Sequence, residues 1–150
     1  MNMRHIRWLM IAAINWAVVS CGFAEETTQT ASNDLEIGSV RLRLENHSEV
    51  CFVTSTLPEG KSADYDLAIP WPCHFHKDMS GSIRMIEAKN YRYVLVESSK
   101  PKSDARPDCE TQLRSIRVSG RLTEISQHKE LVASCPPFQW DVYMFKELFD

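Results

Sequence analysis

The alternation of apolar and polar residues predicts two neighbouring strands between positions 40 and 55. Val40, Leu42 and Leu44 alternate with charged residues, which is the pattern of a strand with one buried face. Residues 50–55 are rich in β-branched side chains and predict a second strand after a polar turn. Residues 57–66 contain proline, glycine, serine and acids, so we expect a loop there.

The middle of the chain predicts an antiparallel meander of three strands: residues 72–77, 82–88 and 91–98. A three-residue loop that ends at Gly81 in the left-handed conformation places Phe75 opposite Met85. A shift by one residue would place Phe75 beside Arg84, so the alternation of side chains excludes that register. A two-residue turn then places Met85 opposite Val94 in the second pair. The same register places Ile83 opposite Val96, and Glu87 opposite Arg92 as a pair of opposite charges.

This register gives the predicted meander two faces. One face is the predicted core: Phe75, Ile83, Met85, Val94 and Val96. The other, which we call the second face, mixes apolar and cationic side chains: His74, His76, Arg84, Ile86, Tyr93 and Leu95. A surface of this kind is either covered by another part of the chain or bound by a partner. We predict that it binds a protein partner.

The C-terminal third predicts a loop, further strands and one helix. Residues 100–108 are charged and contain proline, which indicates a loop. Three short strands are predicted after it: residues 113–119, 122–125 and 131–135. In residues 138–149, Trp140, Met144 and Leu148 recur every four positions, as on one face of a helix. The expected fold is mainly β (α+β): a single antiparallel sheet or a small sandwich or barrel with one C-terminal helix.

Residues 1–24 are typical of a signal peptide. Arg4, His5 and Arg7 form a basic start, and a mostly apolar run of twelve residues follows at 8–19. This run is too short to span a membrane as a helix and has the length of the apolar region of an export signal. We therefore expect the chain to be exported, to the periplasm or the periplasmic face of the outer membrane.

Two cleavage sites fit this leader. The residues Val-Val-Ser-Cys that end at Cys21 resemble the lipobox of bacterial lipoproteins. That resemblance implies that Cys21 is acylated, and that Gly22 after it directs the product to the outer membrane. Ordinary cleavage after Ala24 also fits, because small residues occupy positions 22 and 24.

The exported chain divides into a tether and one domain. Residues 25–36 are polar over most of their length and predict a tether, since such a segment cannot bury enough apolar surface to fold. Residues 37–150 are long enough for a single domain with a hydrophobic core.

Charge limits the partners of the exported chain. The leader holds two of the 17 basic residues and none of the 20 acidic ones, so the net charge after export is −5. This balance argues against binding of nucleic acid, which rewards clustered lysine and arginine. It also argues against electrostatic binding to anionic lipid, so the membrane attachment that we expect is a lipid on Cys21.

Four cysteines remain beyond Cys21, an even number in an oxidising compartment: Cys51, Cys73, Cys109 and Cys135. Of the three possible pairings we favour Cys51–Cys73 with Cys109–Cys135, because each pair closes a loop of just over 20 residues between predicted neighbouring strands. A zinc site of four cysteines is disfavoured, because no two of them have the short spacing that structural zinc sites use.

Candidate chemistry is sparse. His74 and His76 share one face of a strand, where two imidazoles could bind zinc or copper, but Arg84 beside His76 opposes a metal ion. No serine lies in a nucleophile elbow, and the cysteines are expected to be oxidised or lipidated. The sequence therefore predicts neither a catalytic residue nor a cofactor.

The function expected from these features is a non-catalytic protein-binding domain of the bacterial envelope, in the format of an inhibitor or immunity protein. One alternative is an accessory structural lipoprotein of a secretion or conjugation apparatus. The other is a periplasmic metal-binding protein that uses His74 and His76.

Overall fold

The computed structural model describes residues 33–103 and 106–150. Within these residues, ten strands form two antiparallel sheets, and one short helix lies near the C-terminus. The mainly β fold with a C-terminal helix is thus confirmed, and of the expected arrangements the sandwich is the one that forms. The predicted leader, Cys21 and most of the predicted tether lie outside the described residues.

The first sheet contains four strands: β1 (Asp34–Ile37), β2 (Val40–His47), β3 (Val50–Thr56) and β4 (Ser62–Pro70). They follow one another in sequence order, and each pairs with the next in antiparallel orientation. The predicted alternation is confirmed in β2, where Val40, Leu42 and Leu44 are buried. The predicted second strand corresponds to β3.

Two predictions about this sheet are wrong. The loop expected at 57–66 ends at Ser62, where β4 begins, because the backbone of Ser62–Pro70 pairs with β3 although its first side chains are exposed. The tether was expected to extend to residue 36, but β1 begins at Asp34. In both places the pairing of backbone groups, rather than a pattern of apolar side chains, makes the strand.

The second sheet contains six strands: β5 (His74–Phe75), β6 (Met85–Ala88), β7 (Tyr91–Ser103), β8 (Arg106–Ser119), β9 (Leu122–Ile125) and β10 (Glu130–Val132). The long hairpin of β7 and β8 forms its centre. Strands β5 and β6 share the outer edge of β7, and β9 and β10 share the outer edge of β8.

The loop predicted at residues 100–108 is wrong. Strand β7 continues to Ser103 and β8 starts at Arg106, so the two strands pair through most of this segment, with Lys100 opposite Glu110. Charged residues and proline indicate exposure to solvent there. They do not exclude a two-stranded ladder, because its hydrogen bonds come from the backbone.

The predicted register between the last two strands of the meander is confirmed. Met85 lies opposite Val94, and Glu87 lies opposite Arg92. The latter two side chains form an ion pair of 2.8 Å. A two-residue turn at 89–90 joins the strands, as predicted.

The first pair of the meander forms only in part. Lys77 bridges Ile83 in the predicted register, but Phe75 lies opposite Val96 of β7 instead of Met85. Because β5 takes the edge of β7 next to β6, Ile83 does not pair with Val96, and Met85 is 40% exposed. The predicted place of Met85 in the core is therefore wrong.

Two hydrophobic cores lie on opposite faces of the second sheet. The inter-sheet core fills the space between the sheets, and Leu42, Val53 and Val94 are among its fully buried members. The helix-side core lies against the other face of the second sheet: Tyr93, Leu95, Leu113, Trp140, Phe145 and Leu148. Strand β7 is buried on both faces in its centre, which explains its nearly continuous apolar run.

Both predicted disulfides are present. Cys51–Cys73 lies within the inter-sheet core and links β3 to the segment just before β5. Cys109–Cys135 links β8 to the segment that follows β10. Two such bridges are typical of a chain that folds in an oxidising compartment outside the cytoplasm.

The C-terminal helix is shorter than predicted. Helix α1 spans Val142–Glu147, and Asp141 caps its start by accepting a hydrogen bond from the backbone N–H of Tyr143 at 2.9 Å. The residues before it run along the sheet, where the carbonyl of Trp140 accepts a bond from Arg84. Among the residues that the structure describes, no helix is long and apolar enough to cross a membrane.

Candidate functional site

The second face is covered by the chain's own C-terminal segment. Tyr93 and Leu95 pack against Trp140, Phe145 and Leu148 in the helix-side core. Their exposed fractions are 7% and 0%. The sequence left open whether this face is covered by the chain itself or bound by a partner. For Tyr93 and Leu95 the structure shows that the chain covers it.

The prediction that the whole second face binds a partner is therefore wrong for three of its residues. His76 is 1% exposed, and it is buried together with Tyr93 and Leu95. Burial beneath the helix removes these side chains from contact with another molecule. His74, Arg84 and Ile86 are partly exposed, and only they keep the accessibility that the prediction requires.

Arg84 fastens the C-terminal segment to the sheet. Its guanidinium donates to the carbonyl oxygen of Trp140 at 2.5 Å and lies 5.4 Å from the ring centroid of Phe145. The bond satisfies a backbone carbonyl, and the ring contact is favourable for a cation. The predicted binding role of Arg84 thus competes with an observed structural one.

A buried carboxylate organises the polar part of this region. Glu97 is 4% exposed and faces the same side of β7 as Tyr93 and Leu95. Its Oε1 lies 3.0 Å from Nε2 of His74, and its Oε2 accepts a bond of 2.9 Å from the indole N–H of Trp140. We call His74, His76, Glu97 and Trp140 the Glu97 cluster.

Glu97 is ionised at neutral pH. Burial alone would raise the pKa of this carboxyl, but hydrogen bonds from His74 and Trp140, together with the nearby His76 ring, outweigh burial and lower the pKa to about 2. An ionised carboxylate has no proton to donate, so Nε2 of His74 must carry the hydrogen of their bond. The neutral form of His74 therefore has a lone pair on Nδ1.

His76 contributes to the Glu97 cluster in a different way. Its Nδ1 lies 3.4 Å from Oε2 of Glu97, which is long for a hydrogen bond. Its ring meets Trp140 and Phe145 edge-on, with centroids 6.4 and 6.2 Å away. Nδ1 and Nε2 are both buried, and neither has a hydrogen-bond partner among residues 33–103 and 106–150. His76 is thus held mainly by packing.

A pocket opens above this cluster, and we call it the His74 pocket. Its volume is about 520 Å³. Its floor contains His74, His76 and Glu97, and the remaining lining comes from the turn after β5 and the segment before α1: Lys77, Asp78, Met79, Gly81, Pro136, Pro137 and Phe138. At its edge Met79 is 90% exposed and Phe138 is 43% exposed.

The turn that carries Met79 is built by Asp78. The Oδ1 atom of Asp78 accepts bonds from the backbone N–H and the hydroxyl of Ser80, at 2.8 and 2.5 Å. Gly81 takes the left-handed conformation that the sequence predicts for it, with φ of 83°. The turn is thereby fixed, and it holds Met79 out toward solvent.

A metal ion is poorly matched to His74 and His76. Nε2 of His74 is bonded to the Glu97 carboxylate, and Nδ1 of His76 lies 3.4 Å from it. Within the part of the chain that the structure describes, no group of three or more His, Cys, Asp or Glu side chains is arranged to hold a metal ion.

No protein-family model matches this chain, and neither a curated protein nor a solved structure is significantly similar to it.

Sequence reasoning missed two members of the site, Glu97 and Trp140. Period-two alternation places Glu97 on the same side of β7 as Tyr93 and Leu95, so an acid on a buried face is a signal that the pattern contains. Trp140 is predicted only as part of a helical stripe. Its bond to Glu97 depends on the path of the C-terminal segment over the sheet, for which the sequence carries no local signal.

Proposed function

We propose that this protein is a non-catalytic protein-binding domain of the bacterial envelope, of the kind that inhibitors and immunity proteins represent. The leader and the two disulfides support export to the periplasm. Acylation of Cys21 would hold the domain at the periplasmic face of the outer membrane. No other contact with the membrane, and no binding of nucleic acid, is part of this proposal.

The observation that carries the proposal is the pair of exposed apolar side chains beside the His74 pocket. Met79 and Phe138 present 90% and 43% of their surfaces to solvent. Apolar side chains around a concave site are the usual centre of a protein interface, where they bury into the partner and exclude water. The contact surface proposed here is therefore the rim of the His74 pocket rather than the second face.

Fixed geometry supports the same surface. Asp78 and Gly81 fix the turn of Met79, and the rim residue Phe138 lies 4.5 Å from the buried ring of Trp140, measured between ring centroids. The backbone of the Met79 turn and the ring of Phe138 are thus already ordered, so they lose little conformational entropy when a partner binds.

Capture of partners from envelope extract tests the proposal with matched variants. The exported protein, its Met79→Ser and Phe138→Ser variants, and a Leu122→Ser control are immobilised and exposed to the same extract. Leu122 is 56% exposed, lies on β9 and is not among the residues that line the His74 pocket. We expect a protein that the parent and the control retain and that both rim variants lose.

Two results would contradict the proposal. One is retention of the same proteins by all four chains. The other is loss of the partner from the Leu122 control as well, which would indicate general adhesion through apolar side chains. If the retained proteins are components of a secretion or conjugation apparatus, the alternative role as an accessory lipoprotein is favoured.

A further inference from the structure

Two of the three polar side chains on the floor of the His74 pocket, Glu97 and His74, offer hydrogen-bond acceptors. The carboxylate of Glu97 only accepts, and the neutral form of His74 offers a lone pair on Nδ1 because its Nε2–H is bonded to Glu97. A ligand group that is complementary to Glu97 and His74 must bring N–H donors.

Two ionised carboxylates against one basic residue make the pocket anionic. Hydrogen bonds from Ser80 and Ser82 lower the pKa of Asp78. Asp78 and Glu97 therefore both carry a negative charge at neutral pH. Lys77 is the one lysine or arginine among the described lining residues, and Arg84, outside the lining, also acts on the charge of Asp78. The net charge of −5 after export has the same sign, so a basic partner is attracted from a distance as well.

Apart from Lys77 and Asp78, most of the pocket wall is apolar. Met79, Pro136, Pro137 and Phe138 line it above the polar floor. An apolar wall with an anionic floor suits a side chain that has an aliphatic stem and a cationic head. Arginine fits better than lysine, because its planar guanidinium has several N–H donors and also stacks on an aromatic ring such as that of Phe138.

We propose that the His74 pocket receives an arginine side chain of the protein partner, with the guanidinium directed to the acceptors of His74 and Glu97 and the stem against Phe138. This inference rests on the proposed protein-binding function. It adds the chemistry by which the partner is held, and it predicts a basic surface on that partner.

Small probes test the inference without knowledge of the partner. The probe is N-acetyl-arginine methylamide, and its neutral counterpart is N-acetyl-citrulline methylamide, which has a similar shape and no charge. The exported chain holds two tryptophans, Trp71 and Trp140, so their indole N–H resonances report binding directly. We expect the arginine probe to shift the Trp140 resonance saturably and to leave that of Trp71 in place.

We expect the affinity of the probe to depend on its own charge and on the charge of the pocket floor. We expect the citrulline probe to bind about tenfold more weakly, since hydrogen bonds between charged partners are roughly twice as strong as neutral ones. Glu97→Gln should weaken the arginine probe to a similar degree, and Glu130→Gln, an exposed acid outside the pocket, should not. Asp78→Asn keeps the acceptor of the turn and loses its charge, so it tests the same point if the Glu97 variant does not fold.

Three outcomes would overturn the inference: equal binding of the two probes, tighter binding of the corresponding lysine probe, or no shift of Trp140. None of these outcomes affects the capture experiment with the Met79 and Phe138 variants. Failure of the arginine inference can therefore be distinguished from failure of the proposed protein-binding function.

Discussion

The indole N–H of Trp140 donates to Oε2 of Glu97 at 2.9 Å and joins residues 43 positions apart in the chain. Both residues are buried, Trp140 at 6% and Glu97 at 4% exposure. This bond links the C-terminal segment to the central strand β7 and also stabilises a negative charge in the interior. The cover of the second face and the ionisation of the pocket floor therefore depend on each other.

The stability of the protein should decrease in acid because of Glu97. A carboxyl with a lower pKa in the folded than in the unfolded state stabilises the fold above the unfolded value and loses that effect as pH falls through the folded value. With a folded pKa of about 2 against an ordinary 4.5, the contribution is on the order of 3 kcal/mol and is lost as pH falls from about 4.5 to about 2. Urea unfolding between pH 7 and pH 2 measures it. Glu97→Gln should flatten this part of the profile, and an unchanged profile would contradict the assignment.

Trp140→Phe should destabilise the protein by about 1–3 kcal/mol, because it removes a donor from a buried carboxylate and keeps an aromatic ring in place. It should also raise the pKa of Glu97, which carbon NMR of the carboxyl would detect. Trp71→Phe is the matched control, since Trp71 packs against the inter-sheet core. A pKa that moves equally in both variants would rule out the bond as the cause.

Removal of the two disulfides should have unequal effects. The bridges close loops of 22 and 26 residues, so loop entropy alone predicts a loss of about 3 kcal/mol for each. Cys51 and Cys73 are also members of the inter-sheet core, and their replacement by alanine leaves a void there. We expect the pair Cys51→Ala and Cys73→Ala to cost more than the pair Cys109→Ala and Cys135→Ala in chemical unfolding. A larger loss of stability for the Cys109 and Cys135 pair would show that core packing does not cause the difference between the two disulfides.

Phe145→Ala should open the helix-side core selectively. Phe145 is fully buried, and deletion of such a ring costs about 3–5 kcal/mol. Hydrogen exchange should increase for the amides of α1, while the amides of β2 and β3 keep their protection if the chain remains folded. Tyr143→Ala on the exposed side of the same helix, where Tyr143 is 62% exposed, should change stability by less than about 0.5 kcal/mol. Equal loss of protection in both sheets would show that the two cores unfold together.

Strands with regular alternation could be predicted from the sequence, and strands without it could not. The register of Met85 against Val94 follows from turn length and side-chain alternation, which are local properties. The first half of β4 has exposed side chains, and its pairing depends on β3 being present beside it. The same holds for the ladder that begins at Lys100. Backbone hydrogen bonds leave little trace in the residue types of an exposed strand.

The sequence by itself determined the fold class, the alternation of β2, the even set of four cysteines and the presence of a C-terminal helical stripe, and it favoured one of three cysteine pairings. Each of these follows from the spacing of residues along the chain. Only the tertiary structure decided that the C-terminal segment covers Tyr93 and Leu95, and that Trp140 and His74 meet at Glu97. The physical reason is that these contacts join distant segments, whose relative position depends on how two cores pack rather than on the pattern of either segment.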